Sequence, residues 1–295
     1  MTAAVHVVAV NYFGATALDG YLRSLLAQDC TNWRMTVVDN SDDTHELTKL
    51  HEVTRDHPRV SVRAAPGNLG YFGGARWLLD QTPETAIWTV VSNVDVRLAD
   101  PTFLTRLLTL DGRTPVVAPS VVGVPAGREQ NPHLTTRPTV RQMRRLRTKL
   151  AHPLTAQASL LADRVRTRVR PRRSPGTSDR ASHARLIYAP HGSFIALHQR
   201  YFTAGGSLRH RPFLFGEEIT VAEHCHRLGL PVLFEPALRV THVEHQATGL
   251  LRSWRVLRAQ VEAARYCHDI IAAADRTGAA EGPDMDWTRD ETTAP

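Results

Sequence analysis

Four short apolar runs recur through the first third of the chain, at residues 5–10 (VHVVAV), 35–38 (MTVV), 60–62 (VSV) and 87–91 (IWTVV). The first is a continuous apolar run, the pattern of a strand covered on both faces, and the last reads as another buried strand. Between the first two, Leu18, Leu22, Leu25 and Leu26 recur at helical spacing. Strand followed by helix, repeated, specifies an α/β chain built on a mainly parallel sheet. Ligands of such sheets sit outside the carboxyl ends of the strands. Asp39, the loop 67–74 and Asp95 each follow a strand, so the pattern gathers all three at one edge.

The residues at that edge have a chemistry in common. Asn93 and Asp95 stand two apart at a strand end, and in an extended chain their side chains point the same way. One amide and one carboxylate suit Mg²⁺ or Mn²⁺, which take few protein ligands and complete their shell with water and phosphate oxygens. The same residues also cap turns after strands. The loop GNLGYFGG at 67–74 carries four glycines. Its exposed N–H groups and missing Cβ atoms let a ligand approach, although a tight loop packed on the sheet explains them equally well. It matches neither the dinucleotide fingerprint nor the Walker loop.

Further along, Glu217 and Glu218 open a helix that runs to Leu228 and is stopped by Gly229. Adjacent residues face different directions, so one acid can enter a cleft as a base while the other stays local. An acidic first turn also complements the helix dipole without any further role. His242 ends the second of two expected strands, Val232-Leu233-Phe234 and Val240-Thr241-His242. In a chain with 15 histidines, one alone is weak evidence.

Charge is unevenly spread. Residues 137–185 hold 14 Lys and Arg against two Asp and Glu, leaving 22 basic and 27 acidic of the chain's 36 and 29. One segment therefore carries the whole basic excess, and it reads as an interaction feature set into an otherwise mildly acidic body. Leu154, Ala158, Leu161 and Val165 give it a candidate amphipathic helix bracketed by Pro153 and Pro171. An anionic membrane surface fits such a segment. Nucleic acid fits it poorly, because no aromatics interleave with the arginines. The three cysteines are too scattered for a disulfide framework or a structural zinc site. No basic region precedes the first apolar run, so it is a first strand and not a signal peptide. The expected location is the cytoplasm, with peripheral attachment at the inner face of the membrane.

Six segments in order resemble the inverting GT-A glycosyltransferases of the large family 2 type, particularly the rhamnosyltransferase-like members. They are VVAVNYFG, VVDNSDD, GNLGYFGGAR, VVSNVDVRL, HGSFIAL and FLFGEEITVAEHCHRLGLPVLFEPALRVTH. The resemblance implies a GT-A fold, a Rossmann-like mixed sheet, over residues 1–249 with a basic helical insertion at about 123–185. A helical segment at 250–281 and a disordered tail at 282–295 would follow. It implies transfer of a sugar from a dTDP- or UDP-linked donor to a glycan or lipid-linked acceptor hydroxyl, with Mn²⁺ or Mg²⁺, in cell-surface polysaccharide or glycolipid synthesis. By the same resemblance Asn11, Asp39, Asn68, Gly70, Gly74 and Asn93 serve the nucleotide-sugar. Asp95 and His242 hold the metal, and Glu218 is the base with Glu217 as the alternative. Two departures stand out: Asn-Val-Asp replaces the usual Asn-Pro-Asp, and Glu-Glu replaces Glu-Asp. A nucleotidyltransferase would need a glycine-rich signature with a lysine near the first strand, which is lacking. A non-catalytic scaffold of a glycan assembly complex is the remaining rival.

Overall fold

The computed structural model describes residues 3–81, 85–152, 154–155, 157–158, 183–243 and 254–276. β1 (Val5–Asn11) is buried along its whole length, as a central strand must be. α1 (Ala15–Leu26), β2 (Trp33–Asp39), α2 (Thr44–Thr54) and β3 (Val60–Ala64) follow, then α3 (Tyr71–Gln81) and β4 (Trp88–Asn93). A two-residue turn leads into β5 (Val96–Leu98), and α4 (Phe103–Thr109), β6 (Val116–Val124) and β7 (Arg128–Glu129) complete the first half. The second half holds α5 (Val140–Lys149), β8 (Arg185–Ile187), β9 (Phe194–His198) and α6 (Gln199–Thr203). It closes with α7 (Glu217–Leu228), β10 (Val232–Val243) and α8 (Trp254–Arg276).

The strands form one sheet in the order β3-β2-β1-β4-β9-β6-β10-β5, with β7 beside β6 and β8 beside β10. The first four are parallel, as the apolar runs require. β9 is antiparallel to both β4 and β6, so the sheet is mixed. Alternate residues of β1 feed two layers. Val5, Val7 and Ala9 pack with Leu18, Leu22 and Leu25 of α1 and Phe103, Leu104 and Leu107 of α4. Val8 and Val10 pack with Phe72, Ala75 and Leu78 of α3 and Val221 and Cys225 of α7. A smaller cluster of Met143, Ile219, Cys267 and Ile271 joins α5, α7 and α8.

Three expectations are revised. β10 is one twelve-residue strand, not two, because it absorbs Pro236 in a register shift between Glu235 and Arg239 and then resumes pairing with β6. α3 starts at Tyr71, so Gly73 and Gly74 lie in its first turn and the glycine-rich loop is shorter than 67–74. Arg137, the first residue of the basic segment, is built into the fold. Its guanidinium forms paired bonds of 2.7 and 2.9 Å to Glu223 and also reaches Asp275. The Tyr188 hydroxyl donates to the same Glu223 carboxylate at 2.6 Å. The amphipathic helix expected between Pro153 and Pro171 falls almost wholly outside the described residues, as does the tail. No described helix is long and apolar enough to cross a membrane.

Candidate active site

The strand register assembles the edge. Asn11 pairs with Asp39 on one side, and Val10 with Asn93 on the other, so the ends of β1, β2 and β4 are level. The side chain of Asn11 is fully buried. It donates to Asp39 at 2.9 Å and to Glu46 at 3.2 Å, and accepts from the Gly14 N–H at 2.9 Å. Asp39 also receives the Ser41 N–H at 3.1 Å. Asn11 thus braces Asp39 from behind. Glu46 is a member that sequence reasoning missed. Asp43 caps α2 by accepting the Glu46 N–H, while the Glu46 carboxylate crosses to the first N–H of α1 at 2.8 Å. Asp-x-x-Glu signalled a helix start but not that crossing.

The glycines answer to close packing. Gly70 has φ +77°, and a Cβ there would lie 2.0 Å from the Phe213 carbonyl oxygen. Its own carbonyl accepts from Asn40 at 2.8 Å, and Asn68 accepts the Gly70 N–H at 3.1 Å. At Gly74 a Cβ would lie 2.9 Å from the Asn40 amide. Asn68 itself is exposed, on a wide cleft it shares with Phe213, Trp254, Arg258 and Arg265.

Asp95 does not lie on an extended strand end with Asn93, as the spacing suggested. It occupies the turn between β4 and β5, while the Asn93 N–H is tied to the Ser193 carbonyl. β5 pairs antiparallel with β10, setting His242 opposite Val96. This brings His242 Nε2 to 3.3 Å from Asp95 Oδ1. His242 Nδ1 lies 2.9 Å from Gln130 Oε1, an oxygen that only accepts, so Nδ1 donates there and Nε2 is the ring nitrogen directed at Asp95. One carboxylate and one imidazole suit a divalent ion completed by diphosphate oxygens and water. Among the described residues no group of three or more His, Cys, Asp or Glu is placed to hold a metal.

On the other side, Gly216 in the left-handed conformation (φ +90°) caps the start of α7, whose first two residues are Glu217 and Glu218. Glu218 Oε1 lies 3.3 Å from the Gly192 N–H and lines a cavity. Glu217 is only 5% exposed, and burial, reinforced by Glu218, pushes its carboxyl up to about 8. At neutral pH it is held protonated. The His191-Gly192 turn contributes more than its motif suggested. His191 rests 6.1 Å from the His242 ring, hydrogen-bonds Ser193 at 2.9 Å, and is kept neutral by burial. The Tyr71 hydroxyl is buried with no hydrogen-bond partner among the described residues. Burial first, and then Glu217, Tyr21, Glu218 and Asp95, oppose its ionisation.

Solved glycosyltransferases share this fold. A mannosyltransferase from Pyrobaculum calidifontis, in complex with GDP-Man and Mn²⁺, has a TM-score of 0.52 at 14% identity, over 96% of this chain and 76% of that one. GalNAc-T7 with UDP, GalNAc and Mn²⁺ scores 0.57 at 15% identity, over 92% of this chain and 51% of its own. Residues 1–349 of S. aureus TarS, in complex with UDP-GlcNAc, score 0.54 at 11% identity, over 91% and 70%. No curated protein matches the chain in sequence. The model of glycosyl transferase family 2 matches residues 4–166, more than half of the sequence, and the chain belongs to that family. It is a glycosyltransferase with the GT-A fold.

Proposed function

We propose that the protein transfers a sugar from a nucleoside diphosphate to an acceptor hydroxyl with inversion, using a divalent cation held by Asp95 and His242. The observation that carries this reading is the 3.3 Å approach of His242 Nε2 to Asp95, with Gln130 fixing the tautomer. When bound, Mn²⁺ or Mg²⁺ would neutralise charge developing on the departing diphosphate. Asp39, held by Asn11, is the acid for the base of the nucleotide. Asn68, Gly70 and Gly74, anchored through Asn40, shape the donor side, and Asn93 closes the edge beside the turn. Glu218 faces the cavity and takes the proton from the attacking hydroxyl. Glu217, buried and protonated, holds the start of α7 and does not act as the base. The related structures hold GDP-Man, UDP with GalNAc, and UDP-GlcNAc, so GDP belongs in the test beside the UDP and dTDP expected from sequence.

The exposed Arg141, Arg144 and Arg145 on α5 suit an anionic membrane surface, and Arg137 does not belong to that set. Liposome pelleting tests this part: equal binding to neutral and anionic vesicles contradicts it.

The test of the reaction is donor turnover with each nucleotide-sugar and Mn²⁺. Glu218→Gln is expected to retain donor binding and lose about 10²–10⁴-fold in turnover, the usual contribution of a positioned base. Full turnover by Glu218→Gln overturns the base assignment, and no turnover of any donor by the wild type favours the scaffold.

A further inference from the structure

The segment between β8 and β9 carries His191 into the middle of the edge, and three neighbours hold it there. The Ser193 carbonyl accepts the Asn93 N–H at 3.0 Å, and the Gly192 N–H reaches Glu218 Oε1 at 3.3 Å. The His191 N–H donates to the side-chain oxygen of Asn131 at 2.7 Å. Asn131 is buried and is itself tied to the Pro119 carbonyl at 2.8 Å. The His191 ring lies 6.1 Å from that of His242. His191 therefore borders both the metal pair and Glu218. Its tautomer follows from the Ser193 N–H, 3.3 Å from Nδ1. A backbone N–H only donates, so Nδ1 accepts there and Nε2 carries the ring hydrogen. The ring's hydrogen bonds among the described residues are all made by Nδ1, which leaves Nε2–H unspent.

The start of α3 supplies a second unspent group. Gly70 packs against the Phe213 carbonyl, and the Phe72 ring stands 6.1 Å from His210, which bonds the Phe215 carbonyl at 3.1 Å. Tyr71 thus sits beside the loop that leads into Glu217 and Glu218. Its hydroxyl is buried, has no hydrogen-bond partner among the described residues, and feels both Glu218 and Asp95. A buried hydroxyl left unmatched is costly, and it is retained where a ligand completes it.

During transfer the anomeric carbon must lie between the diphosphate at Asp95 and His242 and the attacking hydroxyl at Glu218. Groups that border both ends border the sugar ring. We propose that His191 Nε2–H and the Tyr71 hydroxyl hydrogen-bond the sugar being transferred and select it. This rests on the transferase reading. His191 donates to a sugar oxygen, whereas Tyr71 can donate and accept and so suits a hydroxyl. A sugar that lacks or inverts either group leaves a protein donor unpaired, the stronger form of discrimination.

The probes are UDP, dTDP and GDP, and the sugar nucleotides UDP-glucose, UDP-galactose, UDP-GlcNAc, dTDP-rhamnose and GDP-mannose, titrated by calorimetry with Mn²⁺. Tyr71→Phe and His191→Leu should each weaken the sugar nucleotide that wild type holds best about 2–10-fold, the usual worth of one hydrogen bond. Binding of the free nucleoside diphosphate should stay unchanged. His191→Gln, whose amide N–H can reach the position of Nε2, should recover most of the loss. Because no described residue bonds the Tyr71 hydroxyl, Tyr71→Phe should match or exceed wild type in urea denaturation without nucleotide. Undiminished sugar-nucleotide binding in both variants overturns the proposal. So does an equal loss for the free diphosphate, which would assign these groups to the diphosphate or to the fold. A clear fall in the stability of nucleotide-free Tyr71→Phe overturns the part given to that hydroxyl. If wild type binds no nucleoside diphosphate with Mn²⁺, the transferase reading fails and takes this one with it; diphosphate binding with unaltered variants fails this inference alone.

Discussion

Replacing Glu217 by glutamine tests the division of labour between the two adjacent acids. Glutamine has the shape of a protonated carboxyl and cannot ionise. In the folded protein Glu217 keeps its proton up to about pH 8, against an ordinary 4.5 in the unfolded chain. Between those values the unfolded state releases a proton that the folded state retains, so stability falls as pH rises. At about 1.4 kcal/mol per pH unit the full loss is about 5 kcal/mol, with about 4 kcal/mol of it between pH 5 and pH 8.5. The side chain is 5% exposed, so solvent screening does little to reduce this. Urea denaturation of wild type and Glu217→Gln at pH 5, 7 and 8.5, with EDTA present, should show the variant's advantage growing by about that amount. Turnover of Glu217→Gln at pH 7 should stay near wild type, because the native residue is already neutral there. A stability difference that does not change with pH refutes the reasoning, and so does a turnover loss as large as that of Glu218→Gln.

Other expectations follow from single contacts. Arg137→Ala strands the buried Glu223 carboxylate and should cost about 3–5 kcal/mol in urea denaturation, while Arg137→Met with Glu223→Met costs far less; equal costs would deny the pair its role. Gly70→Ala forces a Cβ into the Phe213 carbonyl at a positive φ, and nucleotide titration should show weakened binding from folded protein; unchanged binding would detach this loop from the donor site. Gln130→Leu removes the acceptor that fixes the His242 tautomer and should lower Mn²⁺ affinity about 10–100-fold by calorimetry; an unchanged affinity would mean that His242 is not a ligand.

β1, β2 and β4 were legible because burial on both faces writes itself as apolar runs, whereas β3 is a partly exposed edge strand. Gly229 marked the end of α7 for an equally local reason, its left-handed backbone at φ +64°. Elsewhere local rules misled. Pro236 read as a break between strands, yet pairing along β6 carries β10 past it. Two glycines in a row read as loop, yet packing of α3 on the sheet outweighs their poor helix propensity. The site residues were legible as types in an order, whereas their partnerships were not. His242 meets Gln130 across 112 residues, Arg137 meets Glu223 across 86, and Glu46 reaches Asn11 across 35. Such pairs depend on strand order and register, which no short window of sequence contains. His191 had a motif but no chemistry until the fold placed it beside His242.

The measurement closest to the central claim is thermal stabilisation by UDP, dTDP and GDP, each with and without Mn²⁺, on wild type and Asp95→Ala. A melting-temperature rise is predicted for at least one nucleotide, dependent on Mn²⁺ and lost in Asp95→Ala, and the responding nucleotide names the base of the donor. No rise with any nucleotide from well-folded wild type, or a rise that Asp95→Ala leaves intact, would contradict the metal-assisted transferase site.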